Sequence, residues 1–301
     1  MSKKLNLLLA TRPAFLTITL LGCLIGLVLP SANKETFAVN FLALCLALFT
    51  HAASNLLNDY FDHLNGSDQN NEDRIAPFTG GSRFIQDQIF KPRQILLFGI
   101  TLILLSTALG FYICSQTTWH LIPLGIIGIF IAWAYSAPPF ELMSKGALGE
   151  LAISIAWSLV VIGFASIQKN AIAYEAIPIG VAFGLIVSNI LLVNQIPDIR
   201  ADQIAHKLTL ATQTTRNELG CWYLTAISGS YALQIIGIHY LELPKAMLIT
   251  LLPLPIFLHC AKEVSAEINE KKKMKNLIVN NLAAIHLYAL LLFLGLLWGS
   301  N

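Results

Sequence analysis

Residues 41–68 read FLALCLALFTHAASNLLNDYFDHLNGSD. Up to Leu57 the run is nearly all apolar; from Asn58 to Asp68 it carries three aspartates and two asparagines. An apolar run of this length is a membrane-spanning helix, since a hydrocarbon core of about 30 Å needs roughly 20 helical residues. The acids then stand at the mouth of a span, where water and dissolved ions reach them.

The rest of the chain repeats the pattern. Its 301 residues are 55% hydrophobic and only 12% charged, with a mean hydropathy of +0.66. Soluble domains carry about 25% charge. We expect an all-α, polytopic membrane protein with nine transmembrane helices around a central cavity: 14–30, 36–57, 93–114, 118–136, 147–167, 173–194, 221–240, 243–262 and 277–299. Pro30, Pro92, Pro138–Pro139 and Pro244 fall at several of these ends, where a missing N–H does least harm. The apolar N-terminal run is read as a retained first span, and residues 1–301 as a single membrane-embedded domain. A net charge of +2 gives no general affinity for nucleic acid. Cys23, Cys45, Cys114, Cys221 and Cys260 form no CxxC pair and read as small apolar packing residues.

Basic residues set the sidedness. One set of segments holds Lys3, Lys4, Arg12, Arg74, Arg83, Lys91, Arg93, Lys145, Arg200, Lys207, Arg216, Lys262, Lys271, Lys272, Lys273 and Lys275; the other holds Lys34, Lys169 and Lys245. The N-terminus and the long loops are therefore expected in the cytoplasm, and the C-terminus outside. The expected location is a bacterial or archaeal plasma membrane. The even-numbered spans run inward and end in NLLNDYFD, AYSAPP, NQIPDIRAD and HCAKEVSAE. Two acidic clusters thus emerge on one face.

In the first cluster Asn58 and Asp62 are four apart, as are Asn55 and Asp59, so each pair shares a helix face if the helix continues. In the second, Asn194, Asp198 and Asp202 follow at i, i+4 and i+8, with Pro197 expected to kink the stripe. Clustered carboxylates repel unless cations lie between them. An oxygen-only set suits Mg²⁺, commonly completed by water and substrate phosphates. Arg74, Arg83, Arg200 and Lys207 lie close in sequence, and carboxylates mixed with Arg and Lys are what a diphosphate requires. The plainer reading is two solvated helix ends with Asn and Asp in turns and caps. His63 and His206 read as polar loop residues, because Mg²⁺ prefers oxygen.

NDYFDHLNGSDQNNEDRIAPFTGG, AYSAPPFELMSKGALGEL and NQIPDIRADQIAHKLTLA resemble the characteristic segments of the UbiA superfamily of intramembrane prenyltransferases. The NDYFD…GSD…DR…P arrangement is most similar to the 1,4-dihydroxy-2-naphthoate polyprenyltransferases of menaquinone biosynthesis. The resemblance implies a Mg²⁺-dependent transfer from a polyprenyl diphosphate to an aromatic acceptor, among membrane lipids. It implies catalytic roles for Asp62, Asp198, Asp202 and Tyr135, and diphosphate contacts from Asn58, Asn194, Arg74 and Lys207. Asp59, Asp62, Asp68, Asp198 and Asp202 are the implied metal ligands. The family often places its next Asp where Gly66 stands here; the nearest acid is Asp68, which a naphthoate-type GSD supports. Arg12 resembles the Arg of a family RP pair and is expected either to bind the acceptor's carboxylate or to anchor a lipid headgroup. Trp133 and Phe140 read as interfacial anchors.

Two alternatives accompany this reading. A related enzyme would use 4-hydroxybenzoate, homogentisate or a glycerol-phosphate lipid as acceptor. A cation or metabolite transporter would use the acids for coupling, but transporters bind near the bilayer midplane, whereas these acids lie at span ends.

Overall fold

A chain in hydrocarbon must satisfy its backbone N–H and C=O groups internally, so its apolar runs fold as helices. A computed structural model of the protein describes residues 3–29 and 35–299. Pro30, Lys34, the Lys3 side chain and the last two residues, on which part of the orientation argument rests, lie outside the described residues.

A short helix α1 (Lys3–Ala10) leads into α2 (Pro13–Val28) through a bend of 61°. The turn is made at Arg12, whose backbone is left-handed at φ 56°, with Pro13 opening the next helix. Helix α3 (Phe37–Asn65) starts on a Thr36 cap that accepts the Val39 N–H. It passes its expected end at 57 and runs unbroken to Gly66, which closes it at φ +84°. This extension carries Asn58 and Asp62 on one helical face. Next come α4 (Pro92–Gln116), a 3-10 turn (Trp119–Leu121) leading into α5 (Ile122–Ala134), α6 (Leu148–Lys169) and α7 (Ile177–Gln195). The stripe expected over 194–202 is not one helix. Pro197 ends α7 instead of kinking it, and a new short helix α8 (Ile199–Ile204) follows. Helices α9 (Leu210–Gln213), α10 (Arg216–Tyr240), α11 (Leu254–Ser265) and α12 (Lys271–Gly299) complete the order. A 3-10 segment, Lys245–Leu251, precedes α11 at a 40° bend, so the span expected over 243–262 is broken.

Among the described residues six helices are long and apolar enough to cross a membrane, and up to eight spans result if each bent pair is one. The apolar helix Trp119–Ala134 is shorter than these. Large apolar side chains such as Leu97, Leu104, Ile235 and Leu252 are exposed and lie outside the cavity lining, as lipid-facing residues are.

The core is built from close approach and internal polar pairing. A side chain at Gly26 of α2 would collide with the Val161 backbone of α6, so glycine lets these helices touch. Between α10 and α12 the Tyr223 hydroxyl donates to Asn281 Oδ1 at 2.8 Å, and Asn281 Nδ2 donates to the Asn189 carbonyl of α7 at 3.0 Å. A two-residue parallel ribbon, β1 (Lys145–Gly146) with β2 (Leu208–Thr209), ties the segment after α5 to the segment after α8. That tie sets the position of Lys207, immediately before β2.

Candidate active site

A cavity of about 660 Å³ runs into the bundle between α2, α3, α4, α5, α6 and α7. Along α3 its lining extends from Asp62 back to Ala43, a path of about 28 Å at 1.5 Å per residue. The two ends differ in chemistry. Ala43, Leu46, Ile113, Leu124, Val160 and Phe164 line one part. The other gathers Asn58, Asp62, Asp68, Asn194, Asp198, Asp202 and Lys207, with Tyr135 and Arg12 beside them.

Lys207 joins the two acidic clusters. Its ammonium donates to Asp62 Oδ1 at 2.6 Å and lies 3.6 Å from Asp202 Oδ1. Asn58 Nδ2, one turn before Asp62, donates to Asp62 Oδ2 at 3.0 Å. From the loop after α3, Asn71 Nδ2 donates to Asp198 Oδ1 at 2.7 Å. The segment 66–82 thus packs across both clusters. Gly80 and Gly81 have φ of +72° and +74°, and a side chain at Gly81 would overlap the Asp68 carboxylate. Arg83 donates to the Asp68 carbonyl, and Gln86 Nε2 lies 3.3 Å from Asp68 Oδ2.

Burial shapes the charge states in the loops. Asp68 is raised to about 8, first by burial and then by the neighbouring Asp62 and Asp59 carboxylates. Asp202 is raised to about 7, again chiefly by burial, with Lys207 opposing the shift. Burial also raises Asp198, against hydrogen bonds from Asn71 and Thr79. For Lys207 burial pulls downward, but Asp62 and Asp202 outweigh it and the net direction is upward.

Two expected site residues are placed elsewhere. Asp59 is buried outside the cavity wall, where it pairs with Arg12 and accepts from the backbone N–H and hydroxyl of Ser82. A one-residue step from Asn58 turns it about 100° around α3, toward α2 rather than the cavity. Arg74 is also outside the wall, its stem packed beneath Gly80. Arg12 does line the cavity, yet its guanidinium is held by Asp59 and by Asn58 Oδ1 at 3.2 Å. Trp133 and Phe140 stack edge-on with Phe130 on the exposed rim, and only Phe130 reaches the cavity. His63 bonds the exposed Gln69. Sequence reading passed over Asn71, whose Oδ1 is buried without a partner. It also passed over Gly81; the GG pair after Thr79 was the available signal.

The polar end suits a hard divalent cation in kind. Its donors are carboxylate and amide oxygens, without thiol or imidazole, and the unpartnered Asn71 Oδ1 is one more oxygen. Among the described residues no three His, Cys, Asp or Glu side chains form a ready-made cage. Mg²⁺ commonly relies on water and phosphate oxygens to complete its shell, so an open set is compatible with it.

The model of the UbiA prenyltransferase family matches residues 19–285. The chain is 28% identical over 203 residues to 1,4-dihydroxy-2-naphthoate octaprenyltransferase of Bacillus subtilis (strain 168), covering 67% of this chain and 63% of that protein. The match therefore spans less than two thirds of that relative's length. The chain is 27% identical over 302 residues to the octaprenyltransferase of the same description from Haemophilus influenzae, covering 92% and 93% of the two chains. Among solved structures the fold is similar to one described as digeranylgeranylglyceryl phosphate synthase, with a TM-score of 0.65 and 17% identity over 99% of this chain and 100% of that one. It is also similar to a UbiA homolog from Archaeoglobus fulgidus bound to GPP and Mg²⁺, with a TM-score of 0.60 and 14% identity over 97% and 99%.

Proposed function

The chain belongs to the UbiA prenyltransferase family, and from that premise we propose that it transfers a polyprenyl chain from a polyprenyl diphosphate to an aromatic acceptor, 1,4-dihydroxy-2-naphthoate, in menaquinone biosynthesis. One observation carries the reading: two acidic clusters, far apart in sequence, meet through Lys207 at the polar end of a long apolar cavity. A substrate charged at one end and greasy along the rest has that shape. The naphthoate acceptor is supported by the names of the curated relatives.

The residues divide the work. Lys207 hydrogen-bonds a diphosphate oxygen, and Asn58 and Asn194 offer their amides to the others. Asp62, Asp68, Asp198 and Asp202 would hold Mg²⁺. When bound there, the metal neutralises the charge that grows on the leaving diphosphate. The allylic C–O bond breaks with its electron pair going to the diphosphate. The cationic carbon is left against the apolar wall, which keeps water out, while Tyr135 offers an electron-rich face. A ring carbon of the acceptor then forms the new C–C bond and restores aromaticity by losing its proton to the released diphosphate, or its carboxylate as CO₂. Asp59 braces Arg12 and so fixes the turn between α1 and α2.

We read Trp119–Ala134 as a ninth, shortened span, residues 1–301 as one membrane-embedded domain, and the polar end as cytoplasmic on the basic-residue asymmetry. The test is purified protein with labelled polyprenyl diphosphate, Mg²⁺ and a panel of acceptors: the dihydroxynaphthoate, 4-hydroxybenzoate, homogentisate and glycerol phosphate. Prenylated naphthoate is the expected product. Product from another acceptor alone would refute the naphthoate assignment, and no product from any would refute the transferase reading.

A further inference from the structure

Inward from the diphosphate end, the cavity wall carries a polar patch that the mechanism above does not use. His51 lies on α3 two helical turns from Asn58, about 10 Å deeper along the helix. Its Nδ1 is 2.8 Å from the hydroxyl of Thr19 on α2, and Thr19 is 1% exposed. Its ring meets Trp157 of α6 edge to face, with centroids 4.9 Å apart. His51, Thr19 and Trp157 all line the cavity. Three helices therefore fix the imidazole in one orientation. No hydrogen bond joins Nε2 to another described residue, and Trp157 Nε1 beside it is buried without a partner. Ser54 and Asn55 line the same wall, and Asn55 is anchored by donating to the Thr11 carbonyl at 3.0 Å.

An imidazole nitrogen on a cavity wall with no protein partner is open to a ligand that donates to it or accepts from it. A prenyl chain has no group to do so. The acceptor does, and its place is constrained: the ring must lie against the carbon that leaves the diphosphate, just inward of Asn58 and Asp62. Asn55, Ser54 and His51 follow inward from Asn58 along that wall of α3. We infer that His51, braced by Thr19 and Trp157, binds a ring hydroxyl of the aromatic acceptor and sets which ring carbon faces the prenyl cation. The inference rests on the prenyl-transfer reading above and adds the part of the site that reads the acceptor. A hydrogen bond at this hydroxyl orients the ring and selects hydroxylated over plain aromatics.

The experiment measures KM for acceptor and for prenyl diphosphate separately, with Mg²⁺, in the full-length protein and in His51→Ala, His51→Gln and Thr19→Val. The acceptors are the dihydroxynaphthoate and its mono-methyl ethers. Loss of one hydrogen bond should raise acceptor KM by about tenfold in His51→Ala and leave the KM for prenyl diphosphate unchanged. Gln should restore part of the loss, because its amide reaches where Nε2 stood. Wild type should discriminate against one methyl ether, and His51→Ala should not. Thr19→Val keeps the side chain's size and should move acceptor KM the same way; it decides the matter if His51→Ala fails to accumulate. Unchanged acceptor KM, or an equal rise for both substrates, overturns the inference while leaving prenyl transfer intact. Absence of turnover by wild type with any acceptor overturns both.

Discussion

Lys207 Nζ lies 2.6 Å from Asp62 Oδ1, a buried contact that spans 145 positions of the chain. It closes the site: α3 contributes one acid cluster, the α7–α8 break the other, and the lysine is the charge between them. Burying an ammonium is costly unless it is paired and hydrogen-bonded, so this arrangement holds only while the acids are ionised or the lysine has another anion to meet. A diphosphate is such an anion.

Replacing Lys207 with Met removes that charge while keeping most of the volume. Turnover should fall by about 100-fold, the usual loss for a well-placed electrostatic stabiliser. Asp62→Asn should cost about as much, and the double variant much less than the product, because the two act as a unit. Steady-state rates on the three proteins decide it; multiplicative losses would mean that the residues work independently.

Asp59 and Asp62 are three residues apart but should behave differently. Asp59→Ala leaves the Arg12 guanidinium without its buried partner, at a cost of about 3 kcal/mol. Thermal stability should drop, while the Mg²⁺ concentration for half-maximal activity of the surviving protein stays at the wild-type value. A shift in that concentration, with stability kept, would make Asp59 a ligand after all.

Proton and metal should compete. Asp68 and Asp202 rise from 3.8 to about 8 and about 7. The folded values lie above the unfolded ones, so their contribution to stability is complete below about pH 4 and is lost as pH climbs through 7 and 8. On the proposed ligand set, Mg²⁺ would bind the ionised acids and offset that loss. Melting curves should therefore show a small Mg²⁺-induced stabilisation at pH 6 and a larger one at pH 8.5. An equal or reversed increment would contradict the assigned ligands.

Gly81→Ala places a methyl group against the Asp68 carboxylate at a backbone angle that suits glycine. Asp68 should be pushed aside, and activity should fall with a weaker response to Mg²⁺. Gly125, whose Cβ position meets nothing within 4 Å, is the control: Ala there should leave the Mg²⁺ response unchanged.

Much of this was legible in the chain itself. Long apolar runs are direct statements about helices in lipid, and the i, i+4 spacing of Asn58 and Asp62 gave their shared face. The errors lie where local pattern and tertiary context part. Helix α3 continues past 57 because nothing breaks it before Gly66, and hydropathy does not register a helix that leaves the membrane. Pro197 ended a helix where a kink was expected. The facing of Asp59 was hidden, since the ND pair reads alike whether its aspartate meets a metal or an arginine from another helix. His51 was passed over because a lone histidine in an apolar run carries no pattern; only the cavity and the Thr19 contact set it apart.

The central claim is that both acidic clusters serve one metal–diphosphate centre. The most direct measurement is turnover of labelled polyprenyl diphosphate and acceptor by wild type, Asp198→Asn and Asp202→Asn, each with Mg²⁺ and with chelator. Each substitution keeps the side chain's size and removes one charge. Wild type should lose activity in EDTA and regain it with Mg²⁺. Each variant should fall by at least about 100-fold, with protein yield and detergent stability little changed. Near-normal prenyl transfer by both variants, or full wild-type turnover in chelator, would reduce the acids to solvated helix ends and contradict the account.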